Sequence, residues 1–220
     1  MAGRVMVVAL LLYSLLTLAA AGPPSAATTA VRAVGVAPLG HVAFEFIGKD
    51  EQPDLNHATF YGYVTHLRGV PDRALFAGAT QDDTTARITF TAPLVLTQHL
   101  AQQPLFVTSG TGTLVFYVHP NGGASLATPS SFARGRAIAS ASARFHDIIN
   151  AQSSSAGIET SYGEISQRTA QVFTLGGKRY RFGRRGLHER FTTAGEGMRT
   201  GTPPNVQRTI IAAGDAVVTR

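Results

Sequence analysis

Along most of this 220-residue chain apolar side chains recur at every second position, in short stretches that clusters of Gly, Pro, Asn and Ser cut off. A period of two puts successive side chains on opposite faces of a strand, whereas a helix needs spacings of three and four. Phe44 and Phe46 alternate with Glu45, and Tyr61 and Tyr63 alternate with Phe60, Gly62 and Val64 across residues 58–67. Ile88, Phe90 and Ala92 alternate with Arg87, Thr89 and Thr91, and residues 94–98 stay extended. Pro93 between them predicts an edge, bulge or bend. Residues 104–108 and 113–119 flank Ser109-Gly110-Thr111-Gly112, which reads as a hairpin connection.

The second half repeats the pattern at residues 136–150, 158–173, 178–182, 187–193 and 206–218. In the first of these, Ala137, Ala139, Ala141, Ala143 and Phe145 share a face, as suits a tightly curved sheet. The same stretch also offers a helical face of Ala141, Phe145, Ile148 and Ile149. One helical turn is expected after Pro129, and the serine-bearing loop 152–157 reads as a flexible insertion. About nine or ten strands with little helix predict an all-β fold, a single antiparallel β-barrel with a β-sandwich as the alternative.

The N-terminus follows a different rule. Arg4 precedes an apolar run over residues 5–18, short for a membrane span, then Ala19-Ala20-Ala21 and the helix-ending Pro23-Pro24. This predicts a signal peptide at 1–21, a flexible lead-in at 22–40 and one β-rich domain at 41–220. The destination implied is secreted or periplasmic, in the cell envelope or beyond it, with no transmembrane span in the mature chain. Cysteine is absent, which removes disulfides, thiolate metal sites and cysteine nucleophiles.

The string Ala58-Thr59-Phe60-Tyr61-Gly62, with Thr89-Phe90-Thr91 and Gly112-Thr113-Leu114 downstream, resembles secreted barrels of the allene oxide cyclase and dirigent type. The chain also resembles exported bacterial proteins in general. The barrel resemblance implies an antiparallel barrel that holds an apolar small molecule and steers cyclisation or coupling. It carries over no functional residue.

Catalytic signatures are missing from the linear sequence. The seven histidines stand at no ligand spacing such as His-x-x-x-His, so no metal site and no cofactor are predicted. Gly-x-Ser-x-Gly is absent, and Asp82-Asp83 sits in a polar segment that reads as a solvated loop. Catalytic residues are therefore unassigned, and the reading leans away from an enzyme. For a ligand-holding barrel, the predicted lining is Phe60, Tyr63, His66, Phe116 and His119, within a wider set of rings at Phe44, Phe46, Tyr61, Phe90, Tyr117 and Phe145.

One segment carries concentrated charge: from Arg168 to Arg190 seven basic residues face the single acid Glu189. In Lys178-Arg179-Tyr180-Arg181-Phe182 the alternation sends Tyr180 and Phe182 inward and Arg179 and Arg181 outward, toward a basic hairpin tip at Arg184-Arg185. Guanidinium groups bind carboxylate, sulfate and phosphate in bidentate fashion, so Arg179, Arg181, Arg184 and Arg185 form a candidate anion site. The partner implied is an anionic polysaccharide or a lipid headgroup. Nucleic acid is disfavoured, because the aromatic rings a single strand would stack on are assigned to the core. The function expected is a non-catalytic exported binding or structural domain. The alternatives are a barrel for a small apolar ligand and an isomerase or cyclase on that barrel.

Overall fold

The computed structural model describes residues 30–200 and 207–220, and the signal-peptide reading lies outside them. The described strands are β1 (Arg32–Val34), β2 (Val42–Gln52), β3 (His57–Leu67), β4 (Ile88–Gln102), β5 (Leu105–Val118) and β6 (Arg136–Ala151). They continue with β7 (Ala156–Ala170), β8 (Val172–Leu175), β9 (Lys178–Phe182), β10 (His188–Thr200) and β11 (Gln207–Val218). Only two 3-10 turns join them, at Asp72–Leu75 and Pro129–Ala133, the second where a helical turn is expected. No helix among the described residues is long and apolar enough to cross a membrane.

The eight long strands close into an antiparallel barrel in the order β10-β11-β2-β3-β4-β5-β6-β7. An eight-stranded barrel is just narrow enough for side chains to fill it. The interior is filled by rings set against glycines. Phe145 of β6 lies between Gly110 of β5 and Gly163 of β7, and Phe191 of β10 faces Gly163 from the other side. A Cβ at Gly110 would stand 2.6 Å from the Phe145 ring and 2.5 Å from the Val95 carbonyl oxygen, so glycine is required there for close approach.

That packing corrects one expectation. Ser109–Gly112 is not a turn, because β5 runs straight through it, and the β4–β5 turn falls at Gln103-Pro104 instead. β4 likewise continues through Pro93. Its ladder with β5 is interrupted between Thr91↔Val115 and Leu94↔Gly112, where proline has no N–H to donate, and slips register between Leu96 and Gln98. The 136–150 stretch is a strand throughout, and residues 158–173 divide into β7 and β8 at Gln171.

The remaining strands form a three-stranded sheet in the order β1-β9-β8, which caps one end of the barrel. Its plug is Phe182, stacked on Phe116 with centroids 4.4 Å apart and lying 5.7 Å from Phe44. β1 pairs in parallel with β9 and buries Val34, so ordered structure begins within the segment read as a flexible lead-in. The tip of the β8–β9 hairpin is Gly176-Gly177. Arg184 and Arg185 stand instead in the turn from β9 to β10, held where Gln167 accepts the Arg184 N–H at 3.0 Å and donates to the Phe182 carbonyl at 2.8 Å.

Phe182 is 1% exposed and Arg181 beside it is exposed, so the two should respond oppositely to substitution. Phe182→Ala should cost about 3–5 kcal/mol in urea unfolding, whereas Arg181→Asp should stay within about 0.5 kcal/mol. The reverse order would mean that β9 is out of register by one residue.

Candidate functional site

Away from the cap, the barrel interior turns polar. Asp50 stands four residues past Phe46 on β2 and Asp147 two past Phe145 on β6, both in phase with the rings and therefore pointing inward. Asp147 pairs directly with Ser161 of β7, and Glu159 lies on the same face two residues earlier. Arg208 of β11 reaches into this group. Its Nη2 is 3.3 Å from Asp50 Oδ2, 3.5 Å from Asp147 Oδ2 and 3.8 Å from Glu159 Oε2. Three carboxyls thus share one guanidinium inside a barrel.

The hydrogen bonds in this belt fix a proton. Ser161 Oγ lies 2.5 Å from Asp147 Oδ1 and 2.8 Å from Glu159 Oε1. A hydroxyl has one proton to donate, so both short contacts are satisfied when Ser161 donates to one acid and accepts a proton from the other, and Glu159, facing the Asp147 charge, is the one that keeps it. Electrostatics agree with this assignment. Burial, reinforced by the Asp147 charge, pushes Glu159 up to about 8. Burial raises Asp50 to about 6 against the pull of Arg208, and raises Asp147 against Ser161 and Arg208. Among the described residues, Asp50 Oδ1, Glu159 Oε2 and Arg208 Nε are buried without a hydrogen-bond partner.

Two spaces meet at the belt. On the cap side is a cavity of about 80 Å³ between Phe46, Phe60, Phe90, Phe116, Phe145 and Phe191, with Asp50, Asp147 and Glu159 in its wall. On the open side is a cleft of about 740 Å³ at the barrel mouth, lined by Leu100, Phe106, Met198 and Ile210 together with Glu159 and Arg208. Glu159 borders both. Among the described residues, no three His, Asp or Glu side chains are placed to hold a metal ion.

The structure sorts the residues singled out in the sequence. Phe60 and Phe116 line the cavity, as do Phe44, Phe46, Phe90 and Phe145, but Tyr61, Tyr63, His66, Tyr117 and His119 do not. Tyr61 and Tyr63 are on the outer face of β3, beneath the connecting loops, packed on Phe132 and Phe76 respectively. His66 pairs with the exposed Glu45 beyond the register shift in the β2–β3 ladder and turns outward, with Nδ1 2.8 Å from Asp72. His119 is buried at the cap end. Its Nε2 accepts the Gly135 N–H at 3.0 Å, and burial lowers its pKa. Arg181, Arg184, Arg185 and Lys178 are exposed on the cap and Arg179 is half-buried, above the buried Tyr180 and Phe182. Glu189, the single acid of the basic segment, is inside the barrel, as is Glu159.

Comparison with family models, with curated proteins and with solved structures finds no match to this chain. The belt and its two spaces must therefore be read from their own chemistry.

Glu189 gives the interior a measurable titration. It is 3% exposed, its strand neighbours Ile165 and Val218 are buried, and burial alone raises it to about 8. The folded chain keeps this proton up to about pH 8, whereas the unfolded chain releases it near pH 4.3, so the folded state binds more protons in between. Stability is then full below the lower value and is lost as pH rises through the upper one. Between pH 5 and 8.5, Glu189→Gln should lose about 2–4 kcal/mol less than the wild type in urea unfolding, the slope that remains coming from Glu159 and Asp50. A Glu189→Gln profile parallel to the wild type would place that proton elsewhere.

Proposed function

We propose that the barrel interior binds a small, mostly apolar molecule that carries one polar group, the apolar part among the rings and the polar part on the belt. The observation that carries this reading is the pair of buried acceptors, Asp50 Oδ1 and Glu159 Oε2, left without partners among the described residues, on two carboxyls in the wall of an aromatic cavity. Buried polar atoms in folded proteins are nearly always satisfied, and one left open at a cavity marks where a ligand or water bonds. The reading agrees with the ligand-holding role that the resemblance to allene oxide cyclase and dirigent barrels implies. A neutral Glu159 near an ionised Asp50 is also the acid and base pairing that an isomerase or cyclase would use on a bound molecule.

Benzyl alcohol, which joins one ring to one hydroxyl, is a suitable probe; it is larger than the ring cavity of about 80 Å³, so its binding requires the rings to part or the molecule to extend past Glu159 into the mouth cleft. Calorimetric titration should give saturable binding to the purified chain. Ala92 is 4% exposed in the cavity wall, and Ala92→Leu should fill the space and weaken binding roughly tenfold at a stability cost below about 3 kcal/mol. Binding that is unchanged in a folded Ala92→Leu protein would move the site out of the barrel.

A second reading concerns the outside of an exported protein. Lys178, Arg181, Arg184 and Arg185 are all exposed around the cap sheet, which suits contact with an anionic polysaccharide or lipid headgroup of the envelope. Heparin and vesicles containing phosphatidylglycerol are the probes. Replacing Arg181, Arg184 and Arg185 by Gln should weaken retention on both at low salt by roughly tenfold and should leave benzyl alcohol binding unchanged. Unchanged retention would make the cap arginines a solvated face.

A further inference from the structure

We infer that the polar group of the interior ligand is an ammonium, so that the barrel is a site for small primary amines bearing an apolar or aromatic body. This rests on the interior reading above and specifies its chemistry.

Charge complementarity is the first argument. The belt holds three carboxyls and one guanidinium, and the single hydroxyl proton of Ser161 requires one proton on the Asp147–Glu159 pair. Two carboxylates then face one guanidinium, which leaves one negative charge uncompensated inside the barrel. One monovalent cation restores neutrality. A bound carboxylate would double the imbalance, and a neutral alcohol would leave it in place. Burying uncompensated charge is among the most costly things a protein interior does, so the ligand class that removes it gains most.

Hydrogen bonding makes the second argument. The unpartnered carboxyl atoms at the cavity wall are acceptors: Asp50 Oδ1, and Glu159 Oε2 with its proton assigned to Oε1. Asp50 is 8% exposed and Glu159 5% exposed, so water supplies little of what they lack. A primary ammonium brings three N–H donors and no acceptor, whereas a hydroxyl brings one donor and a carboxylate none. Asp50 Oδ2 and Glu159 Oε2 lie 3.3 and 3.8 Å from the same Arg208 nitrogen, which sets the two carboxyl groups in one cluster.

The walls supply the third. The cavity wall carries seven phenyl rings beside Ala92, Leu94, Leu114, Ala143 and Ile165, with Phe46, Phe60 and Phe90 in mutual contact at centroid distances of 5.2–5.9 Å. Ring faces attract cations, and organic ammonium groups are recognised by such walls together with carboxylates. A divalent metal fits less well, because the Arg208 guanidinium already occupies the place among the three carboxyls.

Three probes of one shape separate this inference from the reading beneath it: benzylamine, benzyl alcohol and benzoate, each titrated into the purified chain at pH 7. Benzylamine should bind roughly tenfold tighter than benzyl alcohol, and benzoate should not bind measurably. Asp50→Asn and Glu159→Gln keep the shape of the belt and remove charge. Asp50→Asn should bring benzylamine to within about threefold of the alcohol while the alcohol's own affinity moves less than that. Glu159→Gln, which replaces a neutral acid, should preserve the preference for benzylamine. Equal or tighter binding of benzyl alcohol or benzoate would overturn the ammonium assignment and leave the interior site standing. Failure of all three to bind a folded chain would overturn both. A benzylamine preference that survives in folded Asp50→Asn would remove the belt as its cause.

Discussion

Closure of eight strands into a barrel sets the constraint on which everything else here depends. A closed sheet has no edges, but it encloses a space whose width is fixed by strand number and shear, and that space must be filled. Near the cap this chain fills it with phenylalanine, and the rings fit only because glycines stand beside them on the neighbouring strands. Phe145 between Gly110 and Gly163 is the clearest case. The cap sheet finishes the same task from outside, since Phe182 joins the ring cluster through Phe116 and Phe44.

Filling stops at the polar belt, and the belt is not accounted for by stability. Three carboxyls gathered on one guanidinium in a barrel must each give up hydration, and a well-packed apolar layer of the same volume is often equally or more stable. Among the described residues the belt does not satisfy even its own atoms, for Asp50 Oδ1 and Arg208 Nε lack partners. A group held at such a cost, in the wall of a cavity, is the feature that the proposed binding role accounts for. The raised pKa values of Asp50 and Glu159 report the same imbalance in a different form, because burial favours the neutral acid wherever positive charge is short.

The sequence made the strands legible, and with them the barrel, because alternation is a local signal. Tyr180 and Phe182 are buried while Arg181 is exposed, as the period of two requires. Glycine was the main source of error. In Ser109–Gly112 the residue that permits a turn is also the residue that admits a neighbouring ring, and only the position of Phe145 distinguishes the two. Histidine and tyrosine differ from phenylalanine here: His66, His119 and Tyr63 have the chemistry of a ligand site, but a register shift or simple parity places them outside the cavity. The belt was hidden because its members come from four strands, with Arg208 and Asp50 separated by 158 positions. A usable signal was nevertheless present. Asp50 is in phase with Phe44 and Phe46, and Asp147 with Phe145, and an acid on the core phase of a strand calls for an explanation.

The barrel keeps its two candidate surfaces physically separate. Lys178, Arg181, Arg184 and Arg185 project from the cap, while Asp50, Asp147 and Glu159 turn inward beyond the ring cluster toward the mouth. Phe44, Phe116 and Phe182 stand between them as an apolar layer, and the exposed arginines are screened by solvent ions whereas the buried belt is screened far less. Salt should therefore act on the outer face and hardly on the inner site, and belt chemistry should be insensitive to charge changes at the cap. A molecule held inside would also lie with its polar end toward the mouth, because the cap end of the cavity offers it rings and the belt offers it acceptors. Orientation within the barrel thus follows from the same division of the interior that closure and filling impose.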